Sequence, residues 1–115
     1  CGEANLDVQY MMAMSPWTQI GYWYVPHGRP VSFVDDFMAQ LVDEDHPPQV
    51  ISISYGMPES QVPSAALDLF ECLAMKLTLQ GTTIVVASGD DGAACRLAST
   101  SECSGLQVLW PSSSH

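Results

Sequence analysis

The sequence predicts an α/β fold in which helices flank a parallel sheet. Segments with helical periodicity alternate along the chain with short apolar segments rich in β-branched residues, a pattern typical of parallel strands joined through helices. Hydrophobic residues make up 47% of the 115 residues, which is enough for a buried core. A chain of this length suits one small domain or a segment of a larger one.

Three segments have the hydrophobic spacing of amphipathic helices. They span residues 3–14, 32–44 and 63–79. Ser15-Pro16 ends the first helix, and Gly81 is a residue that suits the end of the third. In the first two helices, apolar residues recur at steps of three and four. These residues are Leu6, Tyr10, Met11 and Met14 in the first helix, and Phe33, Phe37 and Leu41 in the second.

Two apolar segments predict strands of the sheet. Val50–Ser54 is short and rich in β-branched residues, and Thr82–Ala87 is a nearly continuous apolar run. The second pattern is expected for a parallel strand that is covered on both faces. Thr18–Val25 is also rich in residues that favour β-structure, and a turn cluster follows it at residues 26–30.

Distinctive loops follow both predicted strands. One contains Tyr55-Gly56, and the other is Ser88–Gly92. Because ligands of open α/β sheets bind at the carboxyl ends of the strands, we expect an active edge here. Gly89 and Gly92 allow unusual backbone angles or a close approach to a ligand. On the loop alone, Asp90 is better explained as a turn residue, and its neighbour Asp91 as a solvated side chain.

Two carboxylates, Glu3 and Asp7, lie four residues apart on the first predicted helix. This spacing puts both on one face, one turn from each other. Like charges at that distance destabilise a helix, so the pair must be compensated or share a proton. Taken alone, such a pair is better explained by solvated acids that interact with the helix dipole.

Acidic residues dominate the charge of the chain. Thirteen Asp and Glu residues against three Lys and Arg residues give a net charge of −10. A field of that sign repels phosphate backbones, so nucleic acid is a poor candidate partner. An acidic surface suits a protein that works at low pH, although it also simply keeps a domain soluble. No apolar run reaches the ~20 residues of a membrane span, and we expect none.

The four cysteines do not have the paired spacing of a zinc site, and the three histidines are scattered. We therefore expect no metal site within the chain. Cys72 lies in an apolar helical pattern, which predicts a buried free thiol. Cys95 and Cys103 flank a polar loop and could pair with each other or with cysteines elsewhere.

Three motifs occur in a fixed order along the chain. They are Glu-Ala-Asn-Leu-Asp-Val-Gln-Tyr at residues 3–10, Val-Ile-Ser-Ile-Ser-Tyr-Gly at 50–56 and Ala-Ser-Gly-Asp-Asp-Gly-Ala at 87–93. In addition, Trp-Pro-Ser-Ser-Ser at 110–114 is similar to the Pro-Ala-Ser segment that precedes the catalytic Gly-Thr-Ser of serine-carboxyl peptidases. With these motifs and intervals, the whole chain resembles that family, the sedolisins, and most closely its tripeptidyl-peptidase members.

The resemblance implies a subtilisin-like sheet, with residues 1–115 as part of a catalytic domain truncated at both ends. It implies that Glu3 is the general base that accepts the proton of a serine nucleophile. Asp7 would orient Glu3, and Asp90 would stand at the oxyanion hole. The residues expected to line the substrate groove are Ser54, Tyr55, Gly56 and Gly89.

The implied activity is hydrolysis of peptide bonds at acid pH, with tripeptides released from free amino termini of peptide or protein substrates. The nucleophile and the calcium site of the family would lie outside these 115 residues, so the chain alone is expected to be inactive. The implied location is the lysosome or another acidic or extracellular compartment.

Three alternatives remain open at the level of sequence. One is a sedolisin-like endopeptidase, and another is an inactive paralogue that acts as an interaction domain. The third is an unrelated, flavodoxin-like binding module. That module would need a phosphate-binding glycine loop after the first strand, and none is visible.

Overall fold

The computed structural model of the chain describes residues 2–26, 32–92 and 106–114. The helices and strands in these ranges follow the order predicted from the sequence, with two short strands in addition. They are α1 (Gly2–Met14), α2 (Ser32–Val42), β1 (Val50–Ile53), β2 (Met57–Pro58), a 3-10 helix (Glu59–Gln61), α3 (Ser64–Leu79), β3 (Thr83–Val86) and β4 (Leu109–Trp110).

Strands β1 and β3 pair in parallel, which confirms the predicted parallel sheet and the α/β class. Their register runs from Val50 opposite Thr83 to Ile53 opposite Val86. The ladder continues past β3, where the Ala87 N–H donates to the Ile53 carbonyl at 3.0 Å. The carboxyl ends of the two strands therefore lie side by side at one edge of the sheet.

Helix α3 connects the two parallel strands, and local sequence signals set both of its ends. Pro63 precedes it in an extended conformation, with φ −59° and ψ 140°. Gly81 follows it at φ +93°, a left-handed conformation that glycine adopts without a steric penalty, as the sequence predicts. The Thr82 hydroxyl then donates to the Pro48 carbonyl at 2.9 Å, which joins the entrances of β3 and β1.

The core lies between one face of the sheet and the layer formed by α2 and α3. Along β1, buried Ile51 and Ile53 alternate with exposed Val50 and Ser52, as the two-residue period of a strand requires. Trp110 of β4 is buried to 1% exposure and meets Phe70 edge to face, with 5.4 Å between ring centroids. The other buried apolar residues are Val34, Met38, Leu41, Val62, Leu73 and Leu77.

The prediction that Thr82–Ala87 is covered on both faces is wrong for the part of the chain that the structure describes. Val85 is 53% exposed, whereas Ile84 and Val86 are half-buried against the core. The reason is that α2 and α3 cover one face of the sheet, and none of the described elements covers the other. In addition, Thr18–Val25 forms no strand, despite its composition.

Helix α1 has the predicted bounds but not the predicted amphipathic packing. None of its residues is buried, and Tyr10 and Met14 are 67% and 81% exposed. The spacing of its apolar residues aligned them on the helix, but none of the described elements covers them.

Cys72 is an exposed free thiol, which corrects the prediction that it is buried. The buried residues of α3 are Phe70, Leu73 and Leu77, at steps of three and four. Cys72 lies two residues after Phe70 and therefore falls off that face of the helix. The predicted pairing of Cys95 and Cys103 lies outside the described residues.

One acidic side chain, Asp35 of α2, lies within the α2–α3 layer. It is only 9% exposed, and its Oδ1 atom accepts no hydrogen bond from any described residue. Burial, with a smaller contribution from the charge of Asp36, raises the pKa of Asp35 to about 6. Water stabilises the charged form of a carboxylate, so its loss favours the neutral acid.

Candidate active site

The predicted carboxylate pair lies on the first two turns of α1. Glu3 is exposed and stands in the first turn, where the positive end of the helix dipole favours a negative charge. Asp7, one turn later on the same face, is half-buried. Neither carboxylate belongs to the core, so both remain accessible from solvent.

Tyr55, which follows β1, is the described residue that connects this pair to the sheet. Its ring packs edge to face on Phe33 of α2, with 5.6 Å between centroids and 84° between planes. This contact fixes the ring at the carboxyl end of β1, while 46% of the residue stays exposed. The Tyr55 side chain is therefore held on one side and open on the other.

The electrostatic neighbourhood of Tyr55 contains both predicted carboxylates. Burial raises the pKa of the Tyr55 hydroxyl, and Glu3, Tyr22 and Asp7 raise it further in that order. Negative groups nearby disfavour ionisation of the phenol. The structure thus places Glu3 and Asp7 within electrostatic range of the Tyr55 hydroxyl at the carboxyl end of β1.

Tyr22 is the neighbour of this site that sequence reasoning missed. It lies in an extended segment without regular secondary structure, next to Trp23. The Trp23 indole N–H donates to Gln40 Oε1 on α2 at 3.1 Å, which ties the segment to the α2–α3 layer. The run Tyr22-Trp23-Tyr24, with its exposed aromatic rings, was the signal that could have indicated a functional surface.

The second predicted loop follows β3 and is next to the first, because β1 and β3 are parallel neighbours. Asp90 is exposed in this loop and is not among the groups that act on Tyr55. Gly89 has φ +90°, and Gly92 has φ +65°, so the predicted unusual backbone angles are confirmed. Asp91 is also exposed.

Strand β4 lies against both loops, and each loop has its own reason for a glycine. A Cβ atom on Gly56 would lie 3.0 Å from the Trp110 carbonyl oxygen, a tight contact with backbone. A Cβ atom on Gly89 would meet Leu109 Cδ1, the end of a flexible side chain, so the φ of +90° is what favours glycine there. Gly56 therefore permits the close approach of β4 to the active edge.

The described residues were also compared with the requirements of a metal site, a cleft at the active edge and a membrane span. Within residues 2–26, 32–92 and 106–114, no group of three or more His, Cys, Asp and Glu side chains could hold a metal ion. An open cleft of about 460 Å³ between α3, β3 and residues 111–114 is lined by none of the predicted site residues. No described helix is long and apolar enough to cross a membrane.

The chemical capacity of this edge follows from its groups. Two carboxylates on one helix face are groups that can accept and donate protons in acid–base catalysis. The adjacent loop ends expose backbone groups beyond the last ladder hydrogen bonds, and these can pair with an extended chain. A carboxyl group at Asp90 can donate a hydrogen bond when protonated.

Comparison with known proteins gives consistent matches. The chain is 36% identical over 115 residues to tripeptidyl-peptidase 1 of Dictyostelium discoideum, an alignment that covers 97% of the chain. It is 37% identical over 97 residues, or 81% of the chain, to tripeptidyl-peptidase 1 of Homo sapiens. It is 28% identical over 91 residues, or 79% of the chain, to kumamolisin of Bacillus sp. (strain MN-32).

These alignments cover 18%, 17% and 16% of the three relatives, so the chain spans less than a fifth of the length of each. No family model matches the chain. The similarity over most of the chain confirms the resemblance inferred from the three motifs.

Proposed function

This chain is related to the sedolisin family of serine-carboxyl peptidases. From this premise we propose that it is a segment of the catalytic domain of an acid-acting peptidase. The longer protein that contains it, here called the parent protein, removes tripeptides from free amino termini. The observation that carries the proposal is the proximity of the Glu3 and Asp7 carboxylates to Tyr55 at the carboxyl end of β1.

Glu3 acts as the general base in this proposal. A histidine base has an ordinary pKa of about 6.5 and is protonated near pH 4, whereas a glutamate beside a second carboxylate can still accept a proton there. The serine nucleophile of the parent protein transfers its hydroxyl proton to Glu3 as its oxygen attacks the substrate carbonyl. Asp7, one turn away, orients Glu3 and shares the proton with it.

Asp90 donates a hydrogen bond to the oxyanion that develops on the substrate. An ionised carboxylate would repel that charge, so this role requires the protonated acid, which is available at low pH. A donor in such a position contributes about 10²–10³ in rate. Acid pH therefore serves the base Glu3 and the donor Asp90 together.

The substrate lies along the carboxyl edge of the sheet, beside Ser54, Tyr55, Gly56 and Gly89. The backbone of the first three pairs with the residues that precede the cleaved bond. Support comes from the exposure of Tyr55, Gly56 and Gly89 at this edge. The half-exposed Tyr55 ring forms an apolar wall of the groove.

Further features of the parent protein follow from the same premise. The parallel β1–β3 pair with its covering helices is part of a subtilisin-like sheet. The parent protein binds calcium through ligands outside this chain and works in the lysosome or another acidic or extracellular compartment. Its partners are peptide and protein substrates.

A substrate comparison tests the proposal. The parent protein should hydrolyse a fluorogenic tripeptide amide with a free amino terminus at acid pH, and it should hydrolyse the acetylated amide at least about tenfold more slowly, because a lost ionic contact costs about 1.4 kcal/mol or more. The 115-residue chain without a nucleophile serves as the blank. Equal rates on both substrates would contradict tripeptide release and favour an endopeptidase.

Two Asp90 variants extend this assay to the oxyanion role. Asn cannot ionise and keeps an N–H donor, so Asp90→Asn should stay active at acid pH and move the alkaline limb of kcat/KM upward. Asp90→Ala should lose about 2.7–4 kcal/mol of transition-state stabilisation at every pH. Circular dichroism at each pH controls for unfolding. An Asn variant with an unchanged alkaline limb would return Asp90 to the role of a turn residue.

A further inference from the structure

An antiparallel ribbon joins the chain after the Tyr55-Gly56 loop to residues 108–114. Strands β2 and β4 pair with Met57 opposite Trp110 and Pro58 opposite Leu109. The ladder continues beyond β2, where the Glu59 N–H donates to the Val108 carbonyl at 3.0 Å. The two strands are only two residues long, so backbone pairing alone gives the ribbon few contacts.

A side-chain hydrogen bond extends this ribbon across 54 residues of sequence. The Ser113 hydroxyl donates to Glu59 Oε2 at 2.5 Å, and the contact is partly buried. A separation of 2.5 Å is at the short end of the range for a hydrogen bond from a hydroxyl to a carboxyl oxygen. Glu59 therefore holds residues 108–114 at both ends, through its backbone at Val108 and through its side chain at Ser113.

Residues 109–114 are folded tightly on themselves, so a contact at Ser113 is transmitted to β4. The Ser113 N–H donates to the Leu109 carbonyl at 3.0 Å, and the Ser112 hydroxyl donates to the same carbonyl at 2.7 Å. The Ser114 N–H donates to the Pro111 carbonyl at 3.1 Å. A contact that fixes the position of Ser113 therefore also fixes Leu109 and Trp110.

Both predicted site loops are in contact with those two residues. The Trp110 carbonyl approaches Gly56, and the Leu109 side chain approaches Gly89. Strand β4 therefore contacts both the Tyr55-Gly56 loop after β1 and the Ser88–Gly92 loop after β3. A shift of β4 would change the spacing of both loops and the direction in which the chain leaves residue 114.

We propose that the Glu59–Ser113 hydrogen bond is a positioning contact that locks β4 against the two loops and so fixes the path of the chain toward the serine nucleophile. The proposal rests on the proposed function, because it assigns the bond a role in that reaction. Neither residue touches the substrate. Their effect passes through Leu109 and Trp110 to the geometry of attack, in which small displacements are costly.

Two kinds of measurement on the parent protein test this role. The first is kcat and KM on the fluorogenic tripeptide amide. The second is the ratio of the affinities for a peptide aldehyde and for the matching peptide alcohol. An aldehyde adds the serine hydroxyl across its carbonyl to form a hemiacetal, whereas the alcohol forms no covalent bond. The ratio thus reports the position of the nucleophile independently of the fraction of folded protein.

Ser113→Ala and Glu59→Ala should each lower kcat and the aldehyde-to-alcohol ratio by about 10- to 100-fold, with KM changed by less than about threefold. The double variant should lose little more than either single one, because both remove the same bond. Ser113→Thr keeps the hydroxyl and should restore the ratio. Ser112→Ala is the matched comparison, since its hydroxyl bonds to the Leu109 carbonyl and the substitution leaves the Glu59 contact in place, and it should lower the ratio less than Ser113→Ala does.

Each remaining outcome has a defined meaning. If Ser113→Ala and Ser112→Ala change the ratio equally in an active parent protein, the positioning role is overturned and the proposed function stands. If the original parent protein neither cleaves the amide nor prefers the aldehyde, both proposals are overturned. If Ser113→Ala does not fold, the aldehyde-to-alcohol ratio is measured instead on Ser113→Thr and on Glu59→Gln, which keeps an oxygen acceptor. These two variants then test the positioning role.

Discussion

Helix α1 and the α2–α3 layer differ in what they contribute to the molecule. The layer supplies most of the buried residues, including Met38 and Leu77 at 0% exposure, whereas no residue of α1 is buried. Yet α1 carries Glu3 and Asp7, the carboxylates that raise the pKa of Tyr55. The proposed base and its orienting partner therefore lie on a helix that contributes no buried residue, so catalysis and stability can be altered separately.

This separation has an electrostatic reason. A carboxylate that must exchange protons during a reaction has to remain ionisable, and deep burial opposes ionisation. No residue of α1 is buried, so Glu3 and Asp7 keep contact with water. Asp35, in the buried layer, shows the opposite case, because burial is the main cause of its raised pKa.

The largest effect is expected on the catalytic side of the comparison. In the parent protein, Glu3→Gln removes the general base and should lower kcat by about 10²–10⁴-fold. Because Glu3 is exposed, the midpoint of thermal unfolding should stay nearly unchanged. Single-turnover kinetics at acid pH, with calorimetry in parallel, would measure both quantities.

Asp7→Asn serves as the partner variant and should retain partial activity. If the two carboxylates act as a unit, the double variant Glu3→Gln/Asp7→Asn should lose little more than Glu3→Gln alone. Fully additive losses in log kcat would mean that they have separate roles.

A substitution in the buried α2–α3 layer should lower the stability of the protein. Leu77→Ala leaves a cavity between α3 and the sheet and should reduce the free energy of unfolding by about 2–5 kcal/mol. Leu79 on the same helix is 90% exposed, and Leu79→Ala should cost less than about 0.5 kcal/mol. Urea unfolding of the parent protein would compare the two variants. Similar losses would show that Leu79 is covered in the parent protein and that the buried layer extends beyond α2 and α3.

A smaller effect on stability is expected when a change of pH alters the charge of Asp35 in the core. The folded pKa of Asp35, about 6, lies above its ordinary value of 3.8. Its contribution to stability is therefore fully present below pH 3.8 and is lost as the pH rises through about 6. The difference between these two pKa values corresponds to about 3 kcal/mol, which favours the fold at acid pH.

The substitution Asp35→Asn removes the ionisable group and should flatten this dependence. Unfolding free energies measured at steps from about pH 3.5 to about pH 7 would give the difference between the two proteins. Asp36→Asn is the matched control, because Asp36 is exposed, and it should keep most of the slope. If the Asp35→Asn variant kept the slope of the original protein, the pH dependence would originate elsewhere in the molecule.

Local patterns of the sequence predicted most of the secondary structure. The helix at residues 32–44, the strand at 50–54 and the helix at 63–79 agree with α2, β1 and α3 to within about two residues, the usual uncertainty of helix ends. The glycine after α3 has the left-handed conformation that its position indicated. These features depend on periodicity, caps and backbone freedom, which short segments determine by themselves.

Burial could not be predicted in the same way. The spacing of apolar residues in α1 was correct for a helix, but periodicity does not say whether another element covers the apolar face. The same limit explains Cys72, which lies among apolar residues yet off the buried face of α3. Composition alone was equally insufficient at Thr18–Val25, because a strand needs a partner as well as β-forming residues.

The sequence by itself determined the order of helices and strands, the two loops at the carboxyl ends of β1 and β3, and the spacing of Glu3 and Asp7 on one helix face. Only the tertiary structure decided that Tyr55 lies within electrostatic range of those carboxylates and of Tyr22, that β4 approaches Gly56 closely, and that Glu59 holds Ser113. The physical reason is distance along the chain. Neighbours in sequence interact through fixed backbone geometry, whereas Glu59 and Ser113 are brought together by the pairing of β4 with β2 and by the packing of Trp110 in the core.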